Sequence, residues 1–435
     1  MVHYRLTWAD FIHLPMKKSS QSIFKFVAIS LVIFGCNQKQ KIMNQNVMAT
    51  DSVKQSVPTF NEDVDFLKKY TDIIVLQDAL GRGKVAVSAA LQGRVMTSTS
   101  DGDDGLSYGW IHKQAFLSGD TSEHFNAYGG EDRIWLGPEG GQFSIYFSKG
   151  KEFKLDNWYV PRIIDLEPYD VAASARNEAV FTKEAEVANY SGTVFKIALT
   201  RTVKVIEKDE ALKRLELEEA PGLSVVAYET INELSNIGAN LWRKETGLLS
   251  IWILGMFNPS PAATIIIPYQ GSKGALREIV NDNYFGQVPE DRLKLVGTTV
   301  FFKADGEYRS KIGVLPENAP PWLGSYDATN GVLTVVKYSK PAGTADYVNS
   351  LWEIQKEPYK GDAINAYNDG PPEPGVKPMG PFYELETSSP AAALRPNESI
   401  EHIHSTFHFK GSAEELDPVI KKLFGVTTSE IVTVF

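Results

Sequence analysis

The chain has 435 residues, of which 43% are hydrophobic and 23% charged, and its net charge is −10. That composition belongs to a globular protein, long enough for two domains or for one large all-β unit. The acidic balance, without any long basic run, excludes a nucleic-acid partner, whose phosphates demand a cationic face.

In chain order the first feature is an export signal. From Met16 the sequence reads MKKSSQSIFKFVAISLVIFGC, with Lys17, Lys18 and Lys25 as a positive n-region ahead of an apolar run from Phe26 to Phe34. A membrane span needs about 20 apolar residues, so this shorter run fits a signal-peptide core. Residues 1–15 match no part of such a signal, which makes Met16 the expected start and 1–35 the signal peptide. Cys36 is the only cysteine and so has no disulfide partner. The run Ile33-Phe34-Gly35-Cys36 resembles the lipobox of bacterial lipoproteins, where cleavage precedes a cysteine that then carries lipid. The resemblance implies attachment through lipid (palmitate) at Cys36. With Asn37 rather than an aspartate next, it implies the outer membrane of the bacterial cell envelope. The alternative is an ordinary cleaved signal beside an incidental cysteine. Residues 36–61 are polar and aperiodic, as a tether would be.

Asn61 is placed to cap a short helix reaching Tyr70. From there the pattern is β. Residues 73–76, 84–91, 142–147, 195–206, 250–254, 263–269, 298–304, 311–315 and 331–338 are β-branched or aromatic runs separated by Gly, Pro, Asn and Asp. Near the C-terminus, Ser412 and Glu415 make a capping-box pattern and Gly425 a stop, framing a helix of about a dozen residues. Many strands and few helices predict an all-β sandwich or barrel, organised as one domain over 62–435. No repeat of 20–50 residues supports a propeller or solenoid.

Several stretches carry candidate chemistry. GPFYELETSSPAAALRPNESIEHIHSTFHF (380–409) reads as strand, turn, strand. Alternation predicts an apolar face and a polar face bearing Glu384, Glu386, His402, His404 and His408. His402 and His404 stand about 6.5–7 Å apart on one strand face, while His408 lies about 20 Å from His402, so the three cannot share an ion. No strong metal-ligand spacing occurs, and the expectation is that no metal or cofactor is used. HFNAYGGEDRIWLGPEGG (124–141) sets Asp132, Arg133, Trp135 and Glu139 among four glycines. Arg133 and Trp135 would project together from a short strand. An aromatic plate beside a guanidinium and a carboxylate suits a sugar, whereas an Arg133–Glu139 ion pair is the structural alternative. DGDDG (101–105) lacks the glycine and glutamate of a calcium loop and reads as a solvated turn. DAINAYNDGPPEPG (362–375), with Asn365, Tyr367, Asn368 and Asp369, is either a loop or a groove wall. Serine-hydrolase elbow, P-loop and dinucleotide fingerprints are missing.

On the YELETSSPAAALRPNESIEHIHSTFHF motif the chain resembles the galactose mutarotase-like (aldose 1-epimerase-like) superfamily, and more closely a bacterial lipoprotein branch of it. The matching parts are Leu385-Glu386, Pro390, the Leu394–Ser399 turn and a last strand ending at Phe407 or Phe409; GEDRIWLGPE (130–139) also fits. The resemblance implies a large β-supersandwich with a carbohydrate groove and a carbohydrate-active isomerase in which Glu386 takes the anomeric proton. The family's mid-chain histidine has no counterpart, since no histidine lies between His124 and His402. An acid would come from His112, His124, His402 or His404. The expected function is an exported lipoprotein that binds or processes a mono- or oligosaccharide, with Glu386, His402 and His404 catalytic and Arg133, Trp135, Glu139, Asn365 and Glu384 binding. The alternative is a non-catalytic accessory or structural envelope lipoprotein.

Overall fold

The computed structural model describes residues 57–270, 274–373 and 375–435. The signal peptide, Cys36 and nearly all of the expected tether lie outside them. The first helix runs Phe60–Leu67, and its cap is Thr59 rather than Asn61: the Thr59 hydroxyl accepts from Glu62 N, and Glu62 reaches back to Thr59 N. That reciprocal pairing satisfies two free amides at once, which Asn61 does not do.

Among the described residues, nineteen strands form three antiparallel sheets. A small sheet joins Ile74–Gln77, Lys84–Ser88 and Arg94–Thr99. The largest has ten strands, with Val332–Tyr338, Ser399–Lys410, Ser224–Asn236 and Val194–Ile206 adjacent at its centre. The third has six strands in the order Val280–Asn281, Ser310–Val314, Ile364–Asn368, Tyr383–Ser388, Ser250–Phe257 and Arg133–Gly137. The ten- and six-stranded sheets pack face to face, as hydrogen bonds from Ser325 to Tyr383 and from Thr387 to His402 and His404 cross between them. The protein is therefore all-β, a large sandwich with a few short helices. Its principal C-terminal helix, Ala413–Phe424, has the capping box and the left-handed Gly425 that the sequence announces.

One predicted strand is absent, and a stretch read as either loop or groove wall is resolved. QFSIYF (142–147) is not a strand. The Ser144 hydroxyl bonds the Glu139 carbonyl and accepts from Tyr146 N, and the Tyr146 hydroxyl bonds the Leu136 carbonyl. These local side-chain bonds take the place of a ladder. Conversely, 362–375 is more than a loop, because Ile364–Asn368 is a central strand of the six-stranded sheet.

The 380–409 stretch does form two strands, Tyr383–Ser388 and Ser399–Lys410, but they belong to different sheets. The intervening turn carries the chain across the sandwich. Glu384 and Glu386 consequently do not share a face with His402, His404 and His408. Alternation sets parity within a strand and says nothing about two strands that do not pair.

Candidate functional site

Register builds the site. Arg133 lies opposite Leu254, Leu254 opposite Glu386, and Glu386 opposite Asn365. In the flanking rows Trp135 faces Trp252, while Met256, Glu384, Tyr367 and Lys311 follow one another across four strands. Directly paired residues share a face, so all of these side chains point away from the interior of the sandwich. The alternate residues, among them Ile134, Ile253, Leu385 and Ala366, are fully buried in the core behind. Gly129 and Gly130, with φ of 92° and 110°, let the chain turn tightly into the Arg133 strand.

On that outer face is a cleft of about 310 Å³. Its floor contains Arg133, Trp135, Trp252, Lys311 and Glu384, while Phe125, Trp158, Phe285, Trp352 and Phe382 come from surrounding loops. Glu139 lines it just beyond the edge strand. Trp135 meets Trp252 edge-on at 5.6 Å, and Trp158 stacks on Trp352 at 5.9 Å. The Arg133 guanidinium sits 5.3 Å over Trp135, and the Lys311 ammonium 4.7 Å over Trp252.

The charges are organised in two pairs. Arg133 pairs with Glu384, not with Glu139. Lys311 bonds Glu386 at 2.9 Å, and the same Glu386 oxygen accepts from Trp252 Nε1 at 2.9 Å. Glu386 is fully buried and is not among the residues lining the cleft. Asn365 likewise lies to one side, donating to the Tyr284 hydroxyl at 3.1 Å and to the Ile312 carbonyl. Burial pulls Lys311 down, but Glu386, Glu139 and Glu384 together outweigh it and raise its pKa. Burial pushes Glu139 up to about 7; Lys311 and Arg309 draw it back while Glu386 adds to the rise. Burial also pushes Glu384 up, against the pull of Arg133. Several buried polar atoms have no protein partner: Nε and Nη1 of Arg133, the indole N–H groups of Trp135 and Trp158, and Oε1 of Glu386. Buried polar groups are nearly always bonded, and three of the four residues concerned, Arg133, Trp135 and Trp158, line the cleft.

The histidines are elsewhere. His402 and His404 lie between the two sheets, each 2.8 Å from the Thr387 hydroxyl. Thr387 is on the opposite face of its strand from Glu386. His408 bonds Thr334 at 2.9 Å, stacks on Tyr108 and approaches Glu131 at 3.3 Å. Among the described residues, no histidine lines the cleft, and no group of three His, Cys, Asp or Glu side chains is arranged to hold a metal. In DGDDG, Asp101 pairs with Arg82 at 2.7 Å and Asp103 with Lys84 at 2.8 Å, so this turn is tied down by ion pairs. Residues that sequence reading did not single out include Lys311, Arg309, Trp252 and Trp352. Lys311 and Trp252 sit in β runs whose polar or aromatic members look like ordinary strand residues until register aligns them.

Fold and site together define an antiparallel β-sandwich with an aromatic, charge-lined cleft on the outer face of its smaller main sheet. The chain belongs to DUF6786, a family of unknown function, whose model matches residues 58–435. No curated protein matches it. Similar solved structures include a galactose mutarotase-like protein from Lactobacillus casei ATCC 334, at 10% identity and a TM-score of 0.45, covering 78% of this chain and 100% of the other. Another is a galactose mutarotase related enzyme from Lactobacillus acidophilus, at 9% identity and a TM-score of 0.43, covering 78% and 98%. A protein from Synechocystis sp. PCC 6803 matches at 12% identity and a TM-score of 0.46, covering 79% and 98%. Likeness at this level carries no argument about activity, so the site must be read from its own chemistry.

Proposed function

We propose that the protein binds and processes carbohydrate in the cleft on the outer face of the six-stranded sheet. One observation carries the reading: the indole rings of Trp135, Trp158, Trp252 and Trp352 line one partly enclosed cleft together with the charged side chains of Arg133, Lys311, Glu139 and Glu384. A sugar presents C–H faces that stack on aromatic rings and hydroxyls that pair with charged donors and acceptors. Glu384 is held in place by Arg133 and supplies an acceptor. Glu139, with a carboxyl near neutrality, is suited to pass a proton to or from a sugar hydroxyl or ring oxygen, since a general acid–base works best close to ambient pH. Glu386, behind Lys311 and Trp252, acts as a positioning residue for both. This assigns proton transfer to Glu139 in place of the histidines, which the fold puts on the other side of the sheet.

The test is titration with mono- and oligosaccharides, followed by tryptophan fluorescence. Trp135→Ala and Arg133→Ala should each weaken binding at least about tenfold, the equivalent of about 1.4 kcal/mol. Undiminished binding in both variants would exclude this cleft. For any sugar that binds, NMR of anomer exchange separates the two modes: wild type should accelerate exchange and Glu139→Gln should not.

The proposal includes an exported, lipid-anchored protein of the bacterial envelope, with Cys36 as the attachment point, on the strength of the Lys-rich, apolar segment that ends in the lone cysteine. Radiolabelled palmitate should enter the wild-type protein in a lipoprotein-processing bacterium and not Cys36→Ser; equal labelling would remove the anchor from the proposal.

A further inference from the structure

One cation of the cleft, Arg309, stands outside its ion pairs. Arg133 is matched by Glu384 and Lys311 by Glu386. Arg309, at the start of the Lys311 strand, lines the cleft as well. Among the described residues it makes no side-chain hydrogen bond and no ion pair within 4 Å, although the protein as a whole is acidic. Its guanidinium carbon instead stands 3.9 Å over the centre of the Phe285 ring. A guanidinium lying on a ring face is held at a fixed tilt, and its N–H groups point outward in its own plane, free to engage a pair of oxygens.

We propose that the sugar taken by this cleft is anionic, and that Arg309 binds its oxyanion, a carboxylate or an ester sulfate or phosphate. This rests on the carbohydrate reading above and specifies its substrate class. Arginine is the side chain best matched to such groups, because its fork meets two oxygens at once. A neutral sugar would leave the Arg309 donors with water alone, in a cleft whose walls are largely aromatic. Glu139 and Asp369 feel Arg309 at longer range, and neither carboxyl comes within ion-pair distance of it. The placement also explains why Phe285 is 45% exposed at the cleft mouth: it is the platform for the guanidinium rather than a stray surface aromatic.

The experiment compares matched ligands on the intact protein by calorimetry. The probes are galacturonate di- and trisaccharides, the corresponding galactose oligomers, and galactose 6-sulfate against galactose. The expected result is at least about tenfold tighter binding of one anionic series over its neutral counterpart, with the preference shrinking in high salt. Preference for galacturonate assigns the oxyanion to a carboxylate; preference for the sulfate assigns it to an ester. Arg309→Gln should bring the anionic ligand down to the affinity of the neutral one. Arg309→Lys should recover only part of the gap, because it keeps the charge and loses the fork. Equal wild-type affinity for charged and neutral ligands overturns the inference and leaves the carbohydrate reading standing. A preference that survives in Arg309→Gln overturns the assignment to Arg309. Absence of binding by every sugar overturns both.

Discussion

Thr387 has one hydroxyl between two imidazoles, and it bonds both. It can donate to one ring nitrogen and accept an N–H from the other, which fixes the tautomers of His402 and His404 relative to each other. Around it lies a buried polar layer in which Arg201 bonds Asp132 and Asn232, each at 2.5 Å, and Thr230 bonds Asp132 at 3.0 Å. Thr387→Val keeps the shape and strands two imidazole nitrogens, so urea unfolding should show a loss of about 1–3 kcal/mol. The same layer predicts a pH response. Burial lowers His402 to about 3, with His404 adding to the fall. Burial lowers His404 to about 4, with Asp132 opposing. The unfolded chain titrates these groups near 6.5 and so binds more protons between about pH 6.5 and 4. The stability contributed by these two histidines should therefore be fully present above about pH 7 and decline as the pH falls below about 6.5, by up to about 1.4 kcal/mol per pH unit for each. Burial raises Glu139 and Glu384, whose linkage runs the opposite way over the same range. The check is therefore the change in stability between about pH 8 and pH 5 in wild type against that in a His402→Gln, His404→Gln variant; an equal change in both would refute it. Sequence alternation placed His402 and His404 on one face correctly. What lay opposite that face depended on which sheet Thr387 joined.

Elements divide by how local their causes are. The Ala413–Phe424 helix was legible because its cap, its apolar stripe and its stop all lie within fourteen residues. The Ser412 hydroxyl accepts from Glu415 N, and Glu415 reaches back to Ser412 N. Ser412→Ala should cost about 1 kcal/mol in thermal or urea unfolding, and Ser412→Asp should recover most of it. The long strand Glu178–Ala188, EAVFTKEAEVA, was not legible, because its alanines and glutamates favour a helix. It becomes a strand through eleven residues of register with Val194–Ile206, a case of tertiary pairing overriding propensity. For the same reason the cleft was visible only in part. Arg133 and Trp135 stood out within one short run, while Lys311, Trp252 and Glu384 join them only after four further strands are laid side by side.

At the scale of the molecule, the described residues form one compact unit. The ten-stranded sheet has two working faces. One packs on the six-stranded sheet. The other presents Phe407, Phe409, Leu333 and Val335, which are covered by Leu416, Val419, Ile420 and Leu423 of the C-terminal helix. A chain ending at Gly411 would expose that apolar face. It should aggregate, or bind a hydrophobic dye that the full chain does not; a soluble, cooperatively folding truncation would show that the helix is dispensable. Such a face is also a reason for the capping at the helix start, which holds the cover in place.

Composition, alternation and capping chemistry by themselves determined the all-β class, most strand positions and the C-terminal helix, because each depends on residues close along the chain. They also marked Arg133, Trp135, Glu139 and Glu384 as a polar and aromatic set worth attention. Tertiary structure alone decided which of them meet. The 389–398 connection passes from one sheet to the other, so Glu384 faces an outer cleft and His402 an inner layer. The physical reason is that alternation fixes the side of a strand each residue occupies, whereas the partner across that side is set by pairings with strands distant in the chain, as Arg133–Gly137 pairs with Ser250–Phe257.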